Sequence, residues 1–92
     1  MEIEYIRNLI VDNLKKLQET YTFEVYFFGS ILNTNDFNDV DIMIIYDSEI
    51  EVQQLKASFR NIKNIPLDLN FYTRIETIEF NFFKKGAFQK II

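Results

Sequence analysis

Cysteine, histidine and tryptophan are all absent from this sequence of 92 residues. Without cysteine there is no disulfide framework and no thiolate metal site. Without histidine the chain lacks the most common general base and the most common zinc ligand, which excludes serine–histidine and cysteine–histidine catalysis. Any chemistry must therefore use carboxylates, hydroxyls, lysine, arginine or a metal ion held by oxygen atoms.

A basic excess and a long apolar segment are also missing. The formal net charge is −4, whereas general nucleic-acid binders carry a surplus of Lys and Arg that neutralises phosphates. We therefore expect no general DNA binding. The longest uninterrupted apolar run, from Ile42 to Tyr46, is far too short to span a membrane. The acidic start at Glu2 and Glu4 does not resemble a signal peptide, so a cytoplasmic protein is expected.

Apolar residues, in contrast, are plentiful. They make up 48% of the chain, and ten of them are Phe. This supply is sufficient for one small domain over residues 1–92. A small sheet with few helices does not cover ten Phe rings, and a leftover apolar patch marks an interface. The sequence therefore predicts self-association as a homodimer or a hetero-partner, and leaves the choice open.

The order of the predicted elements favours an α/β or α+β domain, with helices packed on a small three-stranded mixed sheet. Two capping boxes, Ser48 with Glu51 and Thr73 with Glu76, predict helix starts. The predicted strands are 23–28, 39–46 and 66–72, and the predicted helices are 2–19, one from the first capping box to Asn61, and one from 74 onward. The residues expected to face inward from the last two helices are Ile50, Leu55, Phe59, Ile62, Ile75, Ile78, Phe82 and Phe83.

Three aspartates are the candidate metal ligands. Asp39 and Asp41 are two apart at the start of the second strand, so their side chains point to the same face. Asp68 lies on the third strand and joins them if the two strands are neighbours. Two carboxylates about 5 Å apart repel by about 3 kcal/mol at an effective dielectric near 20. Oxygen-only clusters of this kind suit Mg²⁺, which binds one or two carboxylates together with substrate phosphates.

A glycine–serine step follows the first strand. Gly29 permits close backbone approach, and its N–H together with the Ser30 hydroxyl can bind phosphate oxygens. Whether Lys84, Lys85 or Arg74 adds positive charge to such a site is left open by the sequence.

These segments together resemble the signature of the nucleotidyltransferase superfamily. The matching residues are Phe28-Gly29-Ser30, a gap of eight residues, Asp39-Val40-Asp41-Ile42 and then Leu67-Asp68-Leu69. The resemblance covers roughly residues 23–72. It implies a fold like that of DNA polymerase β, and the short chain is similar to minimal nucleotidyltransferases, including the antitoxin partners of HEPN toxins.

The resemblance also implies roles for the residues. Asp39, Asp41 and Asp68 would be catalytic and would ligate Mg²⁺ or Mn²⁺, and Asp68 would help to deprotonate the attacking hydroxyl. Gly29 and Ser30 would hold the nucleotide phosphates. The implied reaction transfers a nucleoside monophosphate, usually AMP from ATP, to a hydroxyl acceptor on a protein such as a HEPN-type toxin, on an RNA, or on a small molecule.

Other interpretations stay open at this level. The acidic triad favours an enzyme, whereas the absence of a basic residue after Gly29-Ser30 favours a catalytically weak or inactive binding module that neutralises a partner by occlusion. A cation-binding protein without a nucleotide is a third hypothesis. Taken singly, Asp39 and Asp41 are compatible with a solvated strand entrance, and Asp68 with a charge that protects a sheet edge.

Overall fold

A computed structural model describes residues 2–32 and 39–92, except for the side chain of Ser30. Within them the chain forms three helices, four strands and two short 3₁₀ turns. The helices are α1 (Ile3–Thr20), α2 (Glu49–Phe59) and α3 (Arg74–Glu79); the strands are β1 (Glu24–Phe28), β2 (Val40–Tyr46), β3 (Leu67–Thr73) and β4 (Phe88–Lys90). The 3₁₀ turns are Gly29–Leu32 and Phe82–Lys84. No helix in these ranges has both the length and the apolar character that crossing a bilayer requires.

The strands form one mixed sheet in the order β3-β2-β1-β4. β1 pairs with β2 and with β4 in antiparallel fashion, while β2 and β3 are parallel and joined through α2. The prediction of a small α+β domain with a mixed sheet is confirmed. The expected number of strands is wrong, because β4 adds a fourth strand along the outer edge of β1.

One face of the sheet carries the main hydrophobic core. Alternate residues of β1 and β2 point to this face, where α1 and α2 cover them. The fully buried core side chains include Ile6, Ile10 and Leu14 of α1, Leu55 of α2, Val25 and Phe27 of β1, and Val40, Ile42 and Ile44 of β2. The three- and four-residue spacing of the apolar residues in α1 thus produces one buried stripe.

The other face of the sheet is covered in part by the segment that follows β3. Ring contacts hold this segment down: Phe82 lies 4.4 Å from Tyr72, and Phe83 lies 5.0 Å from Tyr26, both measured between ring centroids. Met43 and Ile45 of β2, which alternate with the core residues, are buried. The second half of β2 is therefore apolar on both faces, as expected for a strand that is covered on both sides.

The last predicted helix is much shorter than expected. α3 ends at Glu79, and Asn81 adopts a left-handed conformation with φ of 56°. Asn is one of the few residues other than Gly that tolerate this conformation, and it stops the helix from continuing. Beyond Gly86 the chain becomes extended, and Phe88, Gln89 and Lys90 form β4. A local strand pattern of three residues is too short to compete with the helical periodicity before it.

Several residues that were predicted to face inward are exposed, namely Ile50, Ile75, Ile78 and Phe83. The way in which α2 and α3 begin explains why the three isoleucines are exposed. In α2 the carboxylate of Glu51 turns inward and accepts a hydrogen bond from the Asp47 N–H at 2.8 Å, which turns Ile50 outward. In α3 the buried residue is Thr77 instead, so the two isoleucines lie on the solvent side.

Candidate functional site

The parallel pairing of β2 and β3 brings Asp41 and Asp68 together. They are direct Cα partners in the register, so both side chains leave the same face of the sheet on adjacent strands. Burial raises the pKa of Asp41, and the charge of Asp68, a hydrogen bond with Asp68 and the charge of Asp39 raise this pKa further. The condition set by the sequence, that the two strands be neighbours, is met.

Gly29 lies directly against this acidic pair. It follows Phe28, which is the Cα partner of Asp41 across the β1–β2 pairing. Its φ of +78° lies in the left-handed region, and a Cβ added to it would clash with Oδ2 of Asp41. The absence of a side chain at Gly29 therefore lets the carboxylate of Asp41 rest against the backbone that turns away from β1.

Asp39 is exposed and precedes β2, and its charge contributes to the raised pKa of Asp41. Within residues 2–32 and 39–92, however, no three acidic side chains form a group that could hold a metal ion by themselves. The pair of Asp41 and Asp68 fits Mg²⁺ only in the mode in which one or two carboxylates act together with substrate phosphates. A closed cage made of protein ligands alone is not formed by the described residues.

The Ser30 hydroxyl, predicted to bind phosphate, lies outside the described part of the structure. The backbone of Ser30 belongs to the 3₁₀ turn that begins at Gly29. Residues 33–38, which carry most of the predicted turn before Asp39, also lie outside it.

The structure gives the candidate cations different positions. Arg74 donates to Glu24 at 2.6 Å and to Asp47 at 2.9 Å, so its charge is used at the opposite end of β1. Lys85 lines a cavity beside Gly29, while Lys84 lines a different cavity next to Asn81. No Lys or Arg of the described chain forms an ion pair with Asp39, Asp41 or Asp68. The acidic pair thus lacks a compensating side-chain cation in ion-pair contact.

Two polar neighbours on the face of Asp68 have structural roles. The Asn70 side chain donates to the carbonyl oxygens of Ile42 and Asp68, both at 3.2 Å, and so braces β3 against β2. Tyr72 packs on Phe82. In the same layer, burial and a hydrogen bond to Glu24 raise the pKa of Tyr26 to about 12, so this phenol stays protonated at neutral pH and is unsuited to act as a base.

Sequence reasoning missed the cavity that adjoins Gly29. It has a volume of about 300 Å³, and its side-chain walls come from Phe28, Phe82, Lys85 and Phe88. It forms because the chain becomes extended after Gly86 and pairs Phe88 with Phe28, a long-range pairing that no local pattern of the sequence indicates. A larger cavity of about 450 Å³ lies between α2 and β3, and Leu67, Leu69 and Phe71 line it. Those residues alternate with Asp68, so the larger cavity opens on the other face of the sheet.

The chain matches no protein-family model and no curated protein.

Proposed function

We propose that the chain is a metal-dependent nucleotidyltransferase. It transfers a nucleoside monophosphate, AMP when the donor is ATP, from a nucleoside triphosphate to a hydroxyl acceptor on a protein or an RNA. The observation that carries this proposal is the position of Asp41, whose carboxylate rests against Gly29 and is aligned with Asp68 on the neighbouring strand. The order Gly-Ser, Asp-x-Asp and strand Asp, which resembles the nucleotidyltransferase signature, supports the same reaction.

The charge balance of the site supports a cation with phosphate ligands. Burial raises the pKa of Asp41 most, and the neighbouring Asp68 raises it further, so the ionised form of Asp41 is costly in this site. A bound Mg²⁺ would remove this cost and would neutralise charge that develops on the phosphates. Asp41 and Asp68 would be the main ligands of the ion. Asp39 would bind it together with the substrate. The backbone of Gly29 would contact the phosphate oxygens, because no side chain blocks their approach.

The transfer step is a displacement at the α-phosphorus. The acceptor oxygen forms a bond to the α-phosphorus, the bond from that phosphorus to the bridging oxygen breaks, and pyrophosphate leaves. Asp68 is exposed and takes the proton of the acceptor hydroxyl. The protein contributes mainly position and electrostatics, as is general for this class of reaction.

A second candidate function is an adaptor or antitoxin that binds a partner protein without catalysis. The observation that favours it is the exposed apolar surface of Ile75, Ile78 and Phe80, in and just after α3. Large apolar side chains exposed together in one short segment are typical of protein interfaces. A HEPN-type toxin is the partner that the resemblance implies, and in the enzymatic case the same toxin would be the acceptor.

The test uses α-labelled ATP with Mg²⁺, the purified protein and an extract of the source cells. We expect wild type to label a protein or RNA, and the variant with Asp41→Asn and Asp68→Asn to label nothing. Asp12→Asn, at an exposed position of α1, is the matched control and should retain labelling. If no labelling occurs with any of the four nucleoside triphosphates, transfer is refuted and the adaptor hypothesis takes its place.

A further inference from the structure

The cavity beside Gly29 lies between the end of β1, the start of β4 and the second 3₁₀ turn. Three aromatic rings enclose it, those of Phe28, Phe82 and Phe88, and each of these side chains is half-buried. Phe28 and Phe88 are Cα partners in the sheet, and their ring centroids are 5.6 Å apart. The cavity is thus built from the sheet itself on one side and from Phe82 on the other.

The sheet register places this cavity in the same row of residues as the acidic site. Phe88 pairs with Phe28, Phe28 pairs with Asp41, and Asp41 pairs with Asp68, so one row of side chains crosses all four strands on the same face. Gly29 belongs to both regions, because it lines the cavity and also lies against Asp41. A ligand can therefore extend from the aromatic end of the row to the carboxylate end.

We propose that this cavity binds the base ring of the nucleoside triphosphate, with Lys85 at its edge contacting the phosphates. The inference rests on the nucleotidyltransferase function proposed above. Flat aromatic rings are bound well by aromatic side chains, because stacking makes large contacts with little loss of side-chain freedom. Lys85 is exposed and lines the cavity, and so supplies the positive charge that the sequence does not contain directly after Gly29-Ser30.

The composition of the walls also determines the selectivity. Of the described residues that line the cavity, Lys85 alone has a polar side chain; the others are Phe, Gly and Ala. No side-chain amide or carboxylate there can read the edge of a base. Stacking tolerates any base, since every base has a π-face. ATP and GTP are therefore bound with similar affinity, and both more tightly than CTP or UTP, whose single rings make smaller contacts.

The experiment measures binding by calorimetry with Mg²⁺ and two probes, α,β-methylene-ATP and inorganic tripolyphosphate. Phe82→Leu keeps an apolar side chain but removes a ring from the wall. We expect it to weaken binding of the ATP analogue by about fivefold or more, with tripolyphosphate binding unchanged. Phe71→Leu, at a half-buried ring on the opposite face of the sheet, is the matched control and should change neither affinity.

Lys85→Ala separates the phosphate contact from the base contact. It should weaken the binding of both probes, whereas Lys84→Ala, at the neighbouring position that lines another cavity, should weaken neither. All four variants are checked by thermal melting, and the two lysine variants alter exposed side chains that make no ion pair among the described residues.

The outcomes distinguish the two proposals. If wild type binds the ATP analogue, Asp41→Asn weakens this binding, and Phe82→Leu and Lys85→Ala do not, the base lies elsewhere and this inference is overturned while the proposed function stands. If wild type binds neither probe with Mg²⁺, both proposals are overturned.

Discussion

At the scale of single residues, Gly29 and Asp41 depend on each other. The left-handed φ of Gly29 is strained for any residue with a side chain, and the space that a Cβ would need is taken by the carboxylate of Asp41. Both the backbone conformation and the contact with Asp41 therefore favour glycine at the position that follows β1.

Substitution of Gly29 by alanine should therefore destabilise the fold. We expect Gly29→Ala to lower the free energy of unfolding by about 1–3 kcal/mol, measured by urea denaturation. Gly86→Ala is the matched control, because nothing lies within 4 Å of the position of its Cβ and its φ is not in the left-handed region. Equal stability of the two variants would show that the Asp41 carboxylate does not rest on Gly29.

The negative charge of Asp41 should destabilise the folded state when no metal ion is present. A raised carboxyl pKa in the folded state means that folding disfavours the ionised form, so the cost is present above the folded-state pKa and disappears below the unfolded-state pKa. We expect Asp41→Asn to be more stable than wild type at pH 7 in EDTA by less than about 1 kcal/mol, since the group is partly solvated.

The advantage of Asp41→Asn should shrink as the pH is lowered, and Mg²⁺ should raise the melting temperature of wild type more than that of the variant. Thermal melts at two pH values, with and without Mg²⁺, check both expectations. Asp12→Asn, at an exposed position of α1, should respond to pH and Mg²⁺ as wild type does.

At the scale of elements, Arg74 joins three parts of the chain. From the start of α3 it reaches Glu24 on β1 and Asp47 after β2, and Lys90 of β4 also lies 3.2 Å from Glu24. Burial alone would raise the pKa of Glu24, but hydrogen bonds from Tyr26, Arg74 and Lys90 outweigh burial and lower it. This cluster fixes the direction in which α3 leaves the sheet.

Because the pKa of Glu24 is lowered by folding, its ionised carboxylate stabilises the folded state above the unfolded-state pKa, near 4.5. This stabilisation is lost as the pH falls through the lower folded-state pKa. We expect Glu24→Gln to be less stable than wild type at pH 7 by about 1 kcal/mol, because the ion pairs are partly exposed. The difference should narrow below pH 4.5, as urea denaturation at several pH values would show. A difference that is constant with pH would rule out the charge as its cause.

Shortening an exposed side chain of α3 and a buried side chain of α1 should have very different effects on stability. Ile78→Ala should change the free energy of unfolding by less than about 0.5 kcal/mol, because its side chain is 77% exposed. Ile10→Ala, at a fully buried position, should cost about 2–5 kcal/mol. Denaturation of both variants checks these values. A large loss of stability in Ile78→Ala would show that this side chain faces inward, as the periodicity predicts.

The elements also show how far sequence reasoning reaches. The periodicity of α1 and both capping boxes follow from local patterns, because each depends on residues close in the chain. The sequence places Asp41 and Asp68 on two strands but leaves open whether these strands are neighbours, which only the folded sheet decides. Ile50 faces outward because the Glu51 carboxylate of the capping box is buried, and Ile75 because Arg74 contacts distant Glu24; apolar periodicity alone predicts neither position. β4 and its aromatic cavity depend on a partner strand about 60 residues away, which no local pattern reveals.

At the scale of the whole molecule, β1 is the strand on which every part of the proposed site depends. It ends at Phe28, directly before Gly29, pairs with the strand of Asp41 on one side and pairs with Phe88 on the other. Beyond the ladder itself, the N–H of Val25 donates to the carbonyl of Ile92 at 3.1 Å, and its carbonyl accepts from Ile91 at 2.7 Å. The aromatic residues and the acidic residues of the row are therefore both positioned by β1.

The position of β1 has a consequence for the order in which the chain folds. Its pairing with β2 closes a short loop and forms early, whereas its pairing with β4 must wait for a much longer loop to close. Until then one edge of β1, rich in aromatic residues, stays open to pairing with other chains. A newly made molecule is thus prone to aggregate through the open edge of β1, and a chaperone that shields this edge would raise the yield of folded protein.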